Sequence, residues 1–250
     1  MRERRYVLFA TCMVALLGVV DAVRAAEIKV LSDGPLKPAL VNIAEAFGRE
    51  TGHTVQLIFG LSPVIHNKVM TGEAGDVLII QPNFLDELMK SGKVMAGEHP
   101  VIAHVGIGLA MRSDASTPEI STPEAFKRAL LSADMIVFNN VASGNYFAKV
   151  LERVGIADAV KDKVVRTPPP EVFVRVLRGK GNDIAVGVVP QVMTTKGLKL
   201  IGVLPPEFQS DIAYSAALLT NAQQLEAAAE FVGYLASPQA KAQFSAAGAN

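Results

Sequence analysis

The chain reads as apolar runs of four to six residues alternating with longer stretches of helical periodicity. Ile28-Lys29-Val30-Leu31 alternates and predicts a strand, broken by Ser32-Asp33-Gly34-Pro35. Leu36, Leu40, Ile43 and Phe47 recur at helical spacing. Pro38 falls in the first turn, where its missing N–H is harmless, and Gly52 ends the helix. Val55–Phe59 predicts a second strand, Gly60-Leu61-Ser62-Pro63 a turn, and Ile65, Val69 and Met70 a second helix. Gly75-Asp76 leads into Val77–Ile80, an unbroken apolar strand of the kind covered on both faces. Strand–helix–strand–helix–strand in this order predicts a parallel sheet with right-handed crossovers.

The pattern then repeats. Val105–Met111 predicts a strand, and Ser121-Thr122-Pro123-Glu124 a capped helix start. Met135–Phe138 predicts a strand, Asn140–Gly144 a turn, and Phe147, Val150, Leu151 and Val154 a long helix. Val164–Arg166 predicts a short strand, and three prolines, Pro168 to Pro170, precede a helix over Val172–Leu177. Ile184–Val189 is a further apolar strand, Pro205-Pro206 marks a crossing, and Ile212–Leu219 is a late strand. Leu225–Leu235 and a segment capped by Ser237-Pro238 predict the last helices. The expected fold class is α/β with two lobes, each a mixed sheet flanked by helices. Residues 26–107 with 205–250 form one lobe and 108–204 the other, with crossing strands near Gly106–Met111 and Ile212–Leu219. A single continuous sheet is the plainer alternative.

The first 25 residues change the compartment. A basic start, an apolar run from Tyr6 to Val20 and small residues up to Ala25 have the order of a secretory signal, with cleavage expected after Ala25. The apolar run is short for a membrane span of roughly 20 residues. Cys12, the one cysteine, lies inside this segment. The exported chain therefore has no disulfide, thiolate metal site or cysteine nucleophile. The signal segment carries Arg2, Arg4, Arg5 and Arg24 against Glu3 and Asp21. The overall balance of 24 basic and 24 acidic residues thus becomes slightly acidic without it. That leaves no basic footprint for nucleic acid. With half of the residues apolar, core packing alone can hold such a chain together.

In open α/β sheets, ligands sit beyond the carboxyl ends of strands, where helices begin. Three turns of small polar residues stand at such places: Ser32-Asp33-Gly34, Gly60-Leu61-Ser62 and Ala142-Ser143-Gly144. Each alone reads as an ordinary helix cap. Together they predict a pocket that binds an oxyanion through helix N-termini without Lys or Arg. A hydrolase built on Ser62 with His66 lacks the second glycine of a nucleophile elbow and a third orienting group. His53, His66, His99 and His104 are too dispersed to predict a metal site. Gly106-Ile107-Gly108 precedes no helix start, so it is no dinucleotide fingerprint.

Several segments together resemble the periplasmic molybdate-binding proteins of ABC importers. They are Leu31–Leu40, Phe59–Ser62, Gly72 through Asp76 to Ile79, Val141–Tyr146, Val186–Val189 and the terminal Ser-Pro-Gln-Ala. The resemblance covers nearly the whole chain after the signal. It implies the type II periplasmic-binding fold, a small oxyanion or related solute as ligand, a membrane permease as partner, a monomer, no cofactor and no enzymatic activity. By position it implies that Ser62 donates hydroxyl and N–H to the ligand, and that Ser143 and Val172 donate backbone N–H groups. Gly34 and Gly144 line the same turns. The chain departs from the family at Pro35, where a ligand-binding serine is expected, and at Pro190, where a tyrosine is. Asp33 also places a carboxyl where a dianion would be repelled.

Overall fold

The computed structural model describes residues 25–250; Cys12 and all of the signal segment but its last residue, Ala25, lie outside the described residues. Two five-stranded mixed sheets carry the fold. The first contains β1 (Glu27–Asp33), β2 (Thr54–Gly60), β3 (Val77–Ile80), β4 (Val101–Val105) and β10 (Ile212–Leu218), in the order β2-β1-β3-β10-β4. The second contains β5 (Ile107–Arg112), β6 (Ile136–Asn139), β7 (Val164–Thr167), β8 (Ile184–Val188) and β9 (Leu198–Val203), in the order β7-β6-β8-β5-β9. Strands β1, β2 and β3 are parallel, as are β6, β7 and β8. In each sheet one strand, β10 or β5, runs antiparallel to both of its neighbours.

Helices cover both faces of both sheets. Around the first sheet are α1 (Lys37–Thr51), α2 (Ser62–Met70), α3 (Pro82–Lys90), α9 (Leu225–Leu235) and α10 (Pro238–Ala246). Around the second are α4 (Pro123–Ser132), α5 (Ala142–Val154), α6 (Ala157–Val160), α7 (Pro169–Arg178) and α8 (Val189–Thr194). The all-apolar strand β3 shows why. Val77 and Ile79 point into the core shared with α1, α9 and α10, while Leu78 and Ile80 point into the core shared with α2 and α3. All four are fully buried. Phe47 on α1 meets Phe231 on α9 at 5.0 Å, and Phe138 meets Phe147 at 5.3 Å in the second sheet's core. Gly52 closes α1 in the left-handed region, at φ 79°, which is open to glycine at no steric cost.

The sheets are joined where the sequence expects one long strand. Val105–Met111 is split: β4 ends at Val105 in the first sheet and β5 starts at Ile107 in the second, with Gly106 alone between them. The division follows the partners, since Val105 pairs with Ile212 of β10 and Ile107 with Val188 of β8. Ile212–Leu219 is likewise not a crossing strand. It lies inside the first sheet between β3 and β4, and the return crossing is the preceding Leu204–Asp211 segment. Two further boundaries differ. β1 continues through Ser32 and Asp33, because both remain in parallel register with Phe59 and Gly60 of β2. The helix expected from Val172 begins at Pro169, since prolines fit the first turn. Helices α3 and α8 and the strand β9 are additions to the predicted pattern.

The pairing register fixes how the sheets face. Ile107 lies opposite the carboxyl end of β8, and Val105 stands at the carboxyl end of β4, opposite the start of β10. Gly106 therefore joins the carboxyl edge of one sheet to the carboxyl edge of the other. The side-chain amide of Gln209 ties the two crossings together. It accepts from the Ile107 N–H at 3.2 Å and donates to the Ile107 carbonyl at 3.1 Å.

Candidate functional site

Asp33 is the centre of the first sheet's carboxyl edge. It is 3% exposed, and its two oxygens take donors from three elements. The Gly34 N–H donates to Oδ1 at 2.8 Å, where the chain turns into α1. The Ser62 hydroxyl, at the first position of α2, donates to Oδ2. Gln81, the residue between β3 and α3, approaches Oδ2 through Nε2 at 3.5 Å. The hydroxyl of Tyr214 on β10 faces both Gln81 and Asp33. Burial pushes the Asp33 carboxyl above its ordinary value, and the Ser62, Gly34 and Gln81 donors only partly offset this. Burial and the neighbouring Asp33 charge likewise push the Tyr214 phenol well above the usual tyrosine range.

The sign of the Asp33 shift gives a pH expectation. A carboxyl whose value is raised by folding costs nothing below about pH 4, where it is protonated in both states. The cost appears as pH rises through its folded value, because the unfolded chain ionises more readily. Asp33→Asn should therefore be stabilised relative to the parent by a margin that widens as pH rises above about 4. Urea denaturation of both chains between pH 4 and pH 8 measures this; a margin that narrows with rising pH would contradict it.

The second sheet presents a different arrangement. Asn139, at the end of β6, caps α5. Its Oδ1 accepts from the N–H groups of Val141 at 3.1 Å and Gly144 at 3.0 Å, while its Nδ2 donates to the Ser143 hydroxyl at 2.8 Å. Arg166 on β7 lies over the Phe138 ring at 5.3 Å and donates to the Asn139 carbonyl at 3.3 Å. At the neighbouring helix α7, Pro168, Pro169 and Pro170 occupy the cap and first two positions and carry no N–H. Glu171 donates to the Pro168 carbonyl at 3.0 Å.

Of the predicted site residues, Asp33, Gly34 and Ser62 come together in one cluster. Ser143 and Gly144 sit in the other, on the second sheet. Ser32 is fully buried, and its hydroxyl donates to the Asp33 carbonyl at 3.2 Å. Val172 is the fourth residue of α7, with its side chain in the core between α7 and the second sheet. Gln81, Tyr214 and Asn139 were not singled out in the sequence. Gln81 could have been, as a polar residue ending an apolar strand; Tyr214 carries no signal inside an ordinary strand pattern. His66 turns away from Ser62, with Nε2 3.1 Å from Glu87 Oε2 and its ring against Phe84. The Ser62 hydroxyl is bonded instead to Asp33. Among the described residues no helix is long and apolar enough to cross a membrane.

The comparisons agree with this architecture. The chain is similar to a periplasmic molybdate-binding protein from Azotobacter vinelandii, with a TM-score of 0.74 at 18% identity over 89% of this chain and 98% of that one. It is also similar to the tungstate-binding protein TupA from Desulfovibrio alaskensis, with a TM-score of 0.63 at 13% identity over 86% and 92%. At those identities the likeness is one of fold, the two-lobed type II periplasmic-binding fold. In sequence it is 28% identical over 219 residues to a protein named aconitate isomerase from a Pseudomonas species, covering 84% of this chain and 82% of that one. The family model described as bacterial extracellular solute-binding protein matches residues 28–250, and with two mixed sheets meeting at their carboxyl edges the chain belongs to the bacterial extracellular solute-binding protein family.

Proposed function

We propose that this protein captures a small anionic solute between its two lobes, in the periplasm, and delivers it to the permease of an ABC importer without transforming it. The observation that carries this reading is the single-residue crossing at Gly106. It sets the carboxyl edges of the two sheets against one another, which is where open α/β sheets bind ligands. Asp33, Gly34 and Ser62 would line one side, and Ser143 and Gly144 the other, with Val172 behind them at α7. Export with cleavage after Ala25 and a monomeric state belong to the same reading. The test is a thermal-shift screen of the exported chain against molybdate, tungstate, sulfate and a set of di- and tricarboxylates. A ligand at 100 times its Kd raises stability by about 2.7 kcal/mol. A cleft that no member of the screen stabilises would count against the proposal.

A second reading is favoured by one observation, the buried Asp33 carboxyl with its raised value, together with the isomerase name of the sequence relative. Such a group can take a proton from the allylic carbon of an unsaturated carboxylate and return it at the far end of the shifted double bond, with no net redox change. Incubating the protein with aconitate in deuterated water separates the readings by proton NMR. Isomer interconversion with deuterium incorporation supports an enzyme, and unchanged spectra support a binder.

A further inference from the structure

The donors that an anion would use at the first sheet's edge already have an acceptor, and it belongs to the protein. The Gly34 N–H, the Ser62 hydroxyl and the Gln81 amide converge on the two oxygens of Asp33, and the Ser62 N–H also points at that carboxyl. The next residue along the chain is a proline in each case: Pro35 after Gly34, Pro63 after Ser62 and Pro82 after Gln81. Those three following positions therefore have no N–H to offer a ligand. Among the described residues no cation faces Asp33 either: the facing groups are Gly34 in the turn after β1, Ser62 on α2, Gln81 before α3 and Tyr214 on β10. Asp33 thus sits in the nest of donors as an internal acceptor.

We infer that Asp33 fills the anion nest of the first lobe and sets the specificity of the cleft. It excludes fully deprotonated tetrahedral oxyanions and favours a solute that offers Asp33 a hydrogen-bond donor: a hydroxyl, an ammonium or a protonated acid group. The inference rests on the cleft being the binding site. It explains why the departure at Pro35 is tolerable: the serine donor that Pro35 replaces would face a nest already occupied. Removing the carboxyl empties the nest while leaving its donors in place.

The experiment is calorimetric titration of molybdate, at pH 7.5, into the parent chain, Asp33→Ala, Asp33→Asn and Pro35→Ser. Circular dichroism melts check that each variant is folded. Asp33→Ala is expected to bind molybdate about a hundredfold more tightly than the parent, as removal of a like charge near a dianion gives. Asp33→Asn, which loses the charge but keeps the bulk, should gain less, and Pro35→Ser alone should gain nothing. Equal or weaker molybdate binding by Asp33→Ala and Asp33→Asn than by the parent overturns the inference. Hydroxy- and amino-carboxylates titrated into the parent distinguish that failure from the wider one. If one of them binds while no variant gains molybdate, only the role of Asp33 falls. If no chain binds any solute, the cleft reading falls with it.

Discussion

Asp76→Ala should lower the unfolding free energy by about 3–4 kcal/mol. Asp76 stands just before β3, 4% exposed. Its Oδ2 accepts from the Lys29 N–H at 2.8 Å, and its Oδ1 from the N–H groups of Gln223 at 2.7 Å and Gln224 at 2.9 Å. One carboxylate thereby joins β1, β3 and the start of α9, segments separated by up to 148 residues. Stranding a buried backbone donor costs about 1–3 kcal/mol each, and solvent reaches some of the three once the carboxylate is gone. Asp76→Asn keeps one accepting oxygen and should lose roughly half as much. Chemical denaturation monitored by circular dichroism provides the measurement, and a loss under 1 kcal/mol in the alanine variant would show that these contacts are not what holds α9 to the sheet.

Gly144→Ala should be the most damaging single methyl in the candidate site. A Cβ at this position would lie 1.8 Å from the Asn139 carbonyl oxygen and 2.6 Å from its carbon. The obstacle is backbone, so no side-chain rotation relieves it. The β6–α5 turn must open, and with it the bonds from Asn139 to Val141, Ser143 and Gly144. Overpacking of this kind costs about 1–3 kcal/mol, and a rigid obstacle puts this case at the upper end. Ser143→Ala one residue earlier removes only a hydroxyl that accepts from Asn139 and should cost about 1 kcal/mol. Thermal melts of the two variants should therefore rank them clearly; equal melting temperatures would mean that the turn adjusts freely.

Much of the fold is legible in the residues because several elements carry redundant signals. Helix α1 has four apolar residues at helical spacing, a proline in the first turn and a glycine after the last. Strand β3 is apolar at every position. What escaped has weak or mixed signals. The half-exposed β9 is one such element; helix α3 is not, since Phe84, Leu85, Leu88 and Met89 recur at helical spacing and could have been read despite its nine-residue length. The joined run Val105–Met111 looks like one strand because apolarity continues across Gly106, and only the partners of each half reveal the break. In the candidate site, the small polar turns at Ser62 and Ser143-Gly144 are visible as helix starts. The direction of their donors is not. Asp33 and Ser62 lie 29 residues apart, and their pairing depends on β1 continuing two residues past its apolar part. Tyr214 reaches the cluster only because β10 returns beside β3 from the far end of the chain.

The clasp of Gln209 on Ile107 has a mechanical consequence. The first crossing is one residue long, and the second is bound to it within a hydrogen bond's reach. A rotation of one lobe against the other would turn the backbone torsions of Gly106 and its tethered neighbour, and would also slide α8 against α1 and the Gly34–Leu36 turn. A few degrees of torsion there become a displacement that grows with distance, largest at the outer rims of the two lobes. On the reading that a solute seats itself near Asp33, the displacement from a change in torsion would be largest on the rims farthest from the seat.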